Sequence, residues 1–241
     1  MSPAERHKAR WAAREGAAQV AAPQARRRGP AATEYELWRA RLGNDLRRLK
    51  EIQSIERKIE LKRQLLPEYV PWIKGVLAAD VAAEDDILAQ IMVWLFDVGE
   101  FYDGLDLARF MLRHKLSLPE RFKRTLGTFI VEETAEAAEK ARVQVQDFSL
   151  PLLFEVEDLC SEEDMPDAVR AKQGKEMGLL LAVDALATEA DADGPAGQRK
   201  AGIERALTYL RRALALESNI GVKGDIKRLE GELKKLAQSE T

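Results

Sequence analysis

The chain has 241 residues, enough to bury a sizeable core, and 46% apolar against 33% charged residues is the composition of a soluble globular protein, not a disordered one. Only 15 Gly, 9 Pro and 6% aromatic residues stand beside abundant Ala, Leu, Glu, Lys and Arg, which favours helix and argues against an all-β sandwich or barrel. The formal net charge of −3 is unevenly spread: residues 1–66 carry a net +8 and the remainder a net −11. A basic end on an acidic body favours polyanions such as nucleic acid as partners, although a solvated tail and helix face would carry the same charge.

A single Cys excludes an internal disulfide, and His7 and His114 are too few for a zinc site of Cys/His type. No apolar run approaches the roughly 20 residues of a membrane span, since Ile87 to Phe96 is short and Leu179 to Ala187 is interrupted by Asp184. Glu5, Arg6, Lys8, Arg10 and Arg14 occupy the N-terminus without the apolar stretch of a secretory signal, so a cytoplasmic location is expected.

In chain order, residues 1–32 read as a flexible basic arm, broken by Pro23, Gly29 and Pro30 around Arg26, Arg27 and Arg28. Residues 33–82 read as an oligomerisation helix followed by a proline bend. Thr33 is a candidate N-cap, Glu34 and Glu36 complement the helix dipole, and no proline interrupts before Pro67, so one helix of about 34 residues is predicted. Tyr35, Trp38, Leu42, Leu46, Leu49, Ile52, Ile55 and Ile59 recur at steps of three or four, the spacing of a coiled-coil seam, which calls for a partner helix. Between Arg39 and Arg63 lie nine basic and four acidic residues, so the polar face is not neutralised by its own pairs.

Pro67 and Pro71 are expected to end the seam and restart a short apolar helix carrying Trp72. Residues 83–241 read as a helical body. Glu84, Asp85 and Asp86 could bind Mg²⁺, but directly before the apolar run Ile87 to Phe96 they read as helix-starting residues. The stretches from Trp94 to Pro119 and from Ala201 to Ser218 alternate small residues with Leu and aromatics in the manner of tetratricopeptide-like hairpins, without a regular period. Phe129 to Val145, Leu152 to Cys160 and Met165 to Ala187 complete the helices, and Ile226, Leu229, Leu233 and Leu236 mark an amphipathic closing helix.

A search for chemistry yields no catalytic set. Glycine-rich phosphate loops of either common kind are absent from the sequence. Cys160 sits among Glu157, Asp158, Glu162 and Glu163, whose field would suppress its thiolate. Glu132, Glu133 and Glu136 with Lys140 can be drawn as a metal-nuclease site, but Glu136 and Lys140 at i, i+4 read as an ordinary ion pair. His114, near a helix end, complements the dipole. No catalytic residue, metal ligand or cofactor is therefore assigned. DNA binding remains, with Arg26, Arg27 and Arg28 on the arm, Arg39, Arg41, Arg47, Arg48 and Lys50 on the basic helix, joined there by Arg57 and Lys58, and Arg121, Lys123 and Arg124 after Pro119.

The segments LLPEYVPWIKGVL, DDILAQIMVWLFDVGEFYDGLDLARFMLRHKLSLPERFKRT, MPDAVRAKQGKEMGLLL and ALTYLRRALALESNIGVKGDIKRLEGELKKL together resemble the small terminase subunit of temperate tailed phages, a family also labelled the terminase endonuclease subunit. The resemblance spans roughly residues 33–236 and is most specific from Leu65 to Thr125. It implies an all-α DNA-packaging protein acting in the host cytoplasm. Such a protein would recognise the cohesive-end site of double-stranded phage DNA, assemble as a ring-like homo-oligomer and deliver DNA to the large terminase subunit, which holds the ATPase and, on this reading, the nuclease. Two other readings stand beside it: a metal-dependent endonuclease using side chains such as Glu132 and Glu133, and a helical-repeat scaffold that binds only protein. The long basic tail expected of relatives does not follow Leu236, which shifts the expected DNA contact to the N-terminal arm.

Overall fold

The computed structural model describes residues 30–81, 83–187 and 197–239. Arg26, Arg27 and Arg28 of the expected arm lie outside the described residues. Those described form nine α-helices and one 3₁₀ turn, with no strand among them, the all-α class that the composition predicts. By contacts the chain divides into two compact units, one through Leu126 and one from Gly127 onward.

The first unit holds α1 (Pro30–Glu51), α2 (Ile55–Ala79), α3 (Asp86–Asp97), α4 (Phe101–Arg113) and the 3₁₀ turn Glu120–Phe122. Where the sequence predicts one long helix, the structure has two. Ser54 sits in extended backbone (φ −69°, ψ 127°) and its hydroxyl accepts from the Arg57 N–H at 3.4 Å, so it caps a new helix and the old one stops at Glu51. α2 then runs through Pro67 and Pro71, not ending at the first of them. The two prolines are one turn apart on the exposed side, and the N–H groups they lack are those that would have reached the carbonyls of Arg63 and Pro67. Burial of Leu65, Leu66, Tyr69 and Ile73 on the opposite side holds the helix together despite that loss.

The break also changes what the seam does. Leu42 and Leu49 are buried within the chain itself, and Trp38 packs its ring against Tyr69 and Trp72 at 5.7 and 6.0 Å, with Tyr35 5.8 Å from Trp72. Tyr35, Leu46, Ile52 and Ile59 are half-buried, and only Ile55 of the eight positions is largely exposed, at 74%. The chain supplies its own partner helix.

α3 is buried from Ile87 to Phe96 without interruption. Asp85 caps it, accepting from the N–H groups of Ile87 and Leu88 at 2.9 and 3.1 Å and from the Trp72 indole at 2.9 Å, so the acidic triplet does start a helix. Burial raises the Asp85 pKa above the usual carboxylate value, against the pull of these donors. Gly99, at φ 82°, closes α3 as only glycine does freely, and Gly104 lets α4 approach, because a Cβ there would lie 2.7 Å from the Phe96 ring.

The second unit contains α5 (Leu126–Val143), α6 (Leu150–Leu159), α7 (Asp167–Ala187), α8 (Gly197–Leu216) and α9 (Lys223–Ser239). α7 and α8 share their whole interface, and α9 lays Ile226, Leu229, Leu233 and Leu236 onto the core they form, as its periodicity predicts. α5 is tied to α7 by charge. Arg142 donates two hydrogen bonds, of 2.7 and 3.1 Å, to the Glu176 carboxylate, which is 2% exposed.

Candidate nucleic-acid interface

The inward face of α1 is set by Trp38, Leu42, Asp45 and Leu49, one turn apart. Arg39, Gly43, Arg47 and Lys50 consequently follow one another along an outward side. Asp45 is 5% exposed and accepts from the Tyr69 hydroxyl at 2.8 Å and from Arg48 at 2.9 Å. One of the four acidic residues between Arg39 and Arg63 is thus buried, but its charge is matched by Arg48, so the pair leaves the local excess of positive charge unchanged. Burial, and then the Asp45 carboxylate, push the Tyr69 pKa up.

The five cations assigned to the basic helix divide into two sets. Arg41 pairs with Glu68 and lies over the Trp38 and Tyr69 rings at 5.5 and 5.6 Å, and Arg48 is held by Asp45. Both belong to the packing between α1 and α2. Arg39 is 4.0 Å from Asp86 with its side chain 65% exposed, Arg47 bonds locally to Gly43 and Asn44, and Lys50 is exposed without an ion pair among the described residues. Arg57 is exposed and Lys58 half-exposed just beyond the break, also without ion pairs among the described residues. Of the patch after Pro119, Arg121 bonds to Gln90 and lies 5.0 Å from the Phe122 ring, Lys123 is exposed at φ 52°, and Arg124 is half-buried.

The residues weighed for catalysis are placed otherwise. Glu132 and Glu136 approach Lys172 of α7 at 3.9 and 3.4 Å, and Glu139 bonds to Lys175 at 2.8 Å. Glu136 pairs across to α7, not with Lys140, because the neighbouring helix supplies a better placed ammonium than its own next turn. Glu133 is half-buried. Among the described residues no three His, Cys, Asp or Glu side chains are grouped as a metal site. Cys160 is fully buried and its thiol is pushed up to about 12, chiefly by burial, with Glu163 adding and Arg170 opposing. Of the acidic neighbours named from sequence, Glu163 acts in the expected direction but is not the main cause. His114 stacks on Phe110 at 4.5 Å and lies 2.8 Å from the Asp80 carboxylate, which it holds below the usual range with help from Arg113.

No helix among the described residues is long and apolar enough to cross a membrane. A sequence profile of the phage small terminase subunit family matches residues 39–168, from within α1 to the first residues of α7. The chain is 40% identical over 233 residues to the "Terminase, endonuclease subunit" of Escherichia phage P2, covering 97% of this chain and 86% of that one. It is 25% identical over 214 residues to the "Probable terminase, endonuclease subunit" of Haemophilus phage HP1, covering 86% and 73% respectively. No solved structure matches. The profile takes in more than half of the sequence and the P2 relative nearly all of it, and on these grounds the chain belongs to the phage small terminase subunit family.

Proposed function

We infer that this small terminase subunit is the DNA-recognition component of phage genome packaging, binding the cohesive-end site of double-stranded DNA and presenting it to the large terminase subunit. The observation that carries the reading is the row Arg47, Lys50, Arg57 and Lys58, exposed or half-exposed and without an ion pair among the described residues, with Arg39 65% exposed beside it. Arg39, Arg47 and Lys50 on α1, continued by Arg57 and Lys58, contact phosphates, and Arg26, Arg27 and Arg28 extend the track. Affinity then comes mainly from counterion release, and phosphate contacts fix register without reading sequence. Self-association into a homo-oligomer uses surface other than Leu42 and Leu49, which are occupied within the chain; Leu37 and Ile55, 68% and 74% exposed, are available.

Both relatives carry the word endonuclease in their names. In this reading cutting belongs to the assembled terminase, with the hydrolytic site on the large subunit. The experiment is a salt titration of binding to cohesive-end and random duplexes. Replacing Arg47, Lys50 and Arg57 with Ala should lower the magnitude of the log affinity against log salt slope by about 2.7, at about 0.9 per phosphate, on both DNAs. An unchanged slope moves the DNA contact off this surface. Cutting of the cohesive-end duplex by the purified chain with Mg²⁺ alone would move hydrolysis onto this subunit.

A further inference from the structure

The helical glycines differ in what lies beside them. At Gly104, Gly127, Gly178 and Gly202 a Cβ would come within 2.7 to 2.8 Å of Phe96, Glu163, Leu210 and Ala185, so close packing inside the chain requires them. A Cβ would make ordinary contact at Gly174 and, apart from Gly224 in the first turn of α9, would meet nothing within 4 Å at Gly43 and Gly231. A glycine inside a helix costs about 0.5–1 kcal/mol relative to alanine, and at these two positions no internal contact offsets it.

Gly231 lies between Glu230 and Glu232, which pair with Arg211 and with Arg199 and Lys235, and the residues one turn before and after it are cationic. Its neighbours on the helix surface are the residues three and four places away on each side, and these are Lys227, Arg228, Lys234 and Lys235. All four are exposed. Arg228 and Lys235 have local partners on the same helix, Asp225 at 3.1 Å and Glu232 at 2.7 Å, whereas Lys227 and Lys234 make no ion pair among the described residues. With Leu229 and Leu233 turned into the core, this quartet is held on the solvent side. Gly43 repeats the arrangement on α1 with Arg39 and Arg47 four residues to either side.

We propose that α9 carries a second DNA-backbone site, in which a phosphate sits over Gly231 between Lys227, Arg228, Lys234 and Lys235. The proposal rests on the DNA-binding reading above and adds a contact at the end of the chain opposite the expected arm. The missing side chain lets a phosphate reach the helix backbone, while cations at about 5–6 Å spacing close around it. An acidic protein surface is the poorer match. Interfaces between proteins are built on an apolar centre, and the large exposed apolar residues, Leu37, Ile55, Val81, Val143, Val145 and Val183, include none on α9. Interfaces with DNA are polar and strongly positive, as this face is.

The test uses the full chain and a random-sequence duplex, with affinity followed by anisotropy across a salt series. Lys227→Ala with Lys234→Ala should lower the slope magnitude by up to about 0.9, the share of the one phosphate held there, and Lys227→Arg with Lys234→Arg should retain it. Gly231→Leu keeps every charge but fills the saddle. It should weaken binding several-fold while the melting temperature stays level or rises, since leucine is the better helix former. If the wild type has its salt slope and neither variant changes it, the α9 site is wrong and the DNA-binding reading survives. The same follows if the lysine pair is needed only for binding an acidic protein. A wild type whose DNA affinity ignores salt would overturn both.

Discussion

Both units have an apolar core, but charge ties their helices together in different patterns. The first is joined by apolar and aromatic contact: ten consecutive residues of α3 are buried, and Trp38, Tyr69, Trp72 and Trp94 form a chain of rings 5.7 to 6.0 Å apart. The ion pairs of the first unit are spread over several helices, Arg41 with Glu68 and Lys62 with Asp97 among them, whereas in the second unit several join one pair of helices. Arg142 with Glu176, Lys172 with Glu136 and Lys175 with Glu139 link α5 to α7, and Gly178 and Gly202 admit α8 within close contact of α7. Apolar burial is insensitive to salt and to pH, whereas partly exposed ion pairs respond to both. Salt and low pH should therefore loosen the contact of α5 with α7 before they affect the apolar core around α3.

The largest expected effect breaks the first unit from its own core. Leu42→Asp with Leu49→Asp places two carboxylates where side chains are 4% and 6% exposed, against the α2 helix that the chain folds back upon itself. Burying unpaired charges there should destabilise the unit by more than about 4 kcal/mol, the range reserved for such core lesions. Hydrogen exchange should then show α1 to α4 unprotected and α5 to α9 still protected. A variant that merely changes its oligomeric mass, with α1 still protected, would restore the seam as an intermolecular surface.

That seam marks where the sequence stops being legible. The apolar spacing of Tyr35 to Ile59 is real, but spacing cannot tell a partner helix in another chain from one supplied by the same chain. Ser54 decides it. A lone serine within a charged, helix-favouring run carries little signal until its hydroxyl is seen capping Arg57. Pro67 and Pro71 misled in the opposite direction, since proline normally ends a helix and here two of them lie one turn apart on the exposed face. The apolar α3 with its start at Asp85 and the amphipathic α9 are both readable, because each is written in local pattern. Of the candidate site, the sequence showed which residues are basic but not which are already engaged. Arg41 and Arg48 are absorbed by Glu68 and Asp45 from the folded-back helix and from the buried face, facts of tertiary structure alone. The Gly231 saddle was visible as a spacing, but it became informative only when packing had explained other helical glycines.

A smaller effect concerns how helices end in the two units. In the first, Gly99 takes the left-handed position after α3 at φ 82°, and Asp80 and Lys115, neither of them β-branched, take it after α2 and α4. In the second, Val145 takes the corresponding position after α5 at φ 54°, with its N–H bonded to the Arg142 carbonyl at 3.1 Å and the Gln146 N–H to that of Ala141 at 2.8 Å. A β-branched residue there is strained by roughly 1–2 kcal/mol, and its side chain, 94% exposed, has no packing to lose. Allowing for the extra freedom glycine brings to the unfolded chain, Val145→Gly should stabilise the second unit by about 1 kcal/mol. A melting temperature that falls on this substitution would show that Val145 makes a contact worth more than its strain.

The smallest effect tests charge directly. The Lys175 hydrogen bond, with the charges of Lys175 and Arg142, holds the Glu139 pKa below its ordinary value, so the folded state binds its proton less readily than the unfolded one. Glu139 therefore contributes stability that is present above about pH 4.3, its value in an unfolded chain, and is lost as pH falls through the lowered folded value. Asp85 in the first unit has the opposite sign. Its pKa is raised by burial, so its contribution is present at low pH and lost as pH rises through the folded value. Urea unfolding of Glu139→Gln beside the wild type should show the variant slightly less stable at pH 7, with the difference shrinking toward zero as pH is lowered to 3. The margin is small because the Glu139 side chain is 44% exposed, and added salt should shrink it further. Asp85→Asn, measured in the same series, should gain on the wild type as pH rises, after allowance for the weaker N-cap. If both variants track the wild type in parallel from pH 7 to 3, the two units do not differ in the way their carboxylates are held.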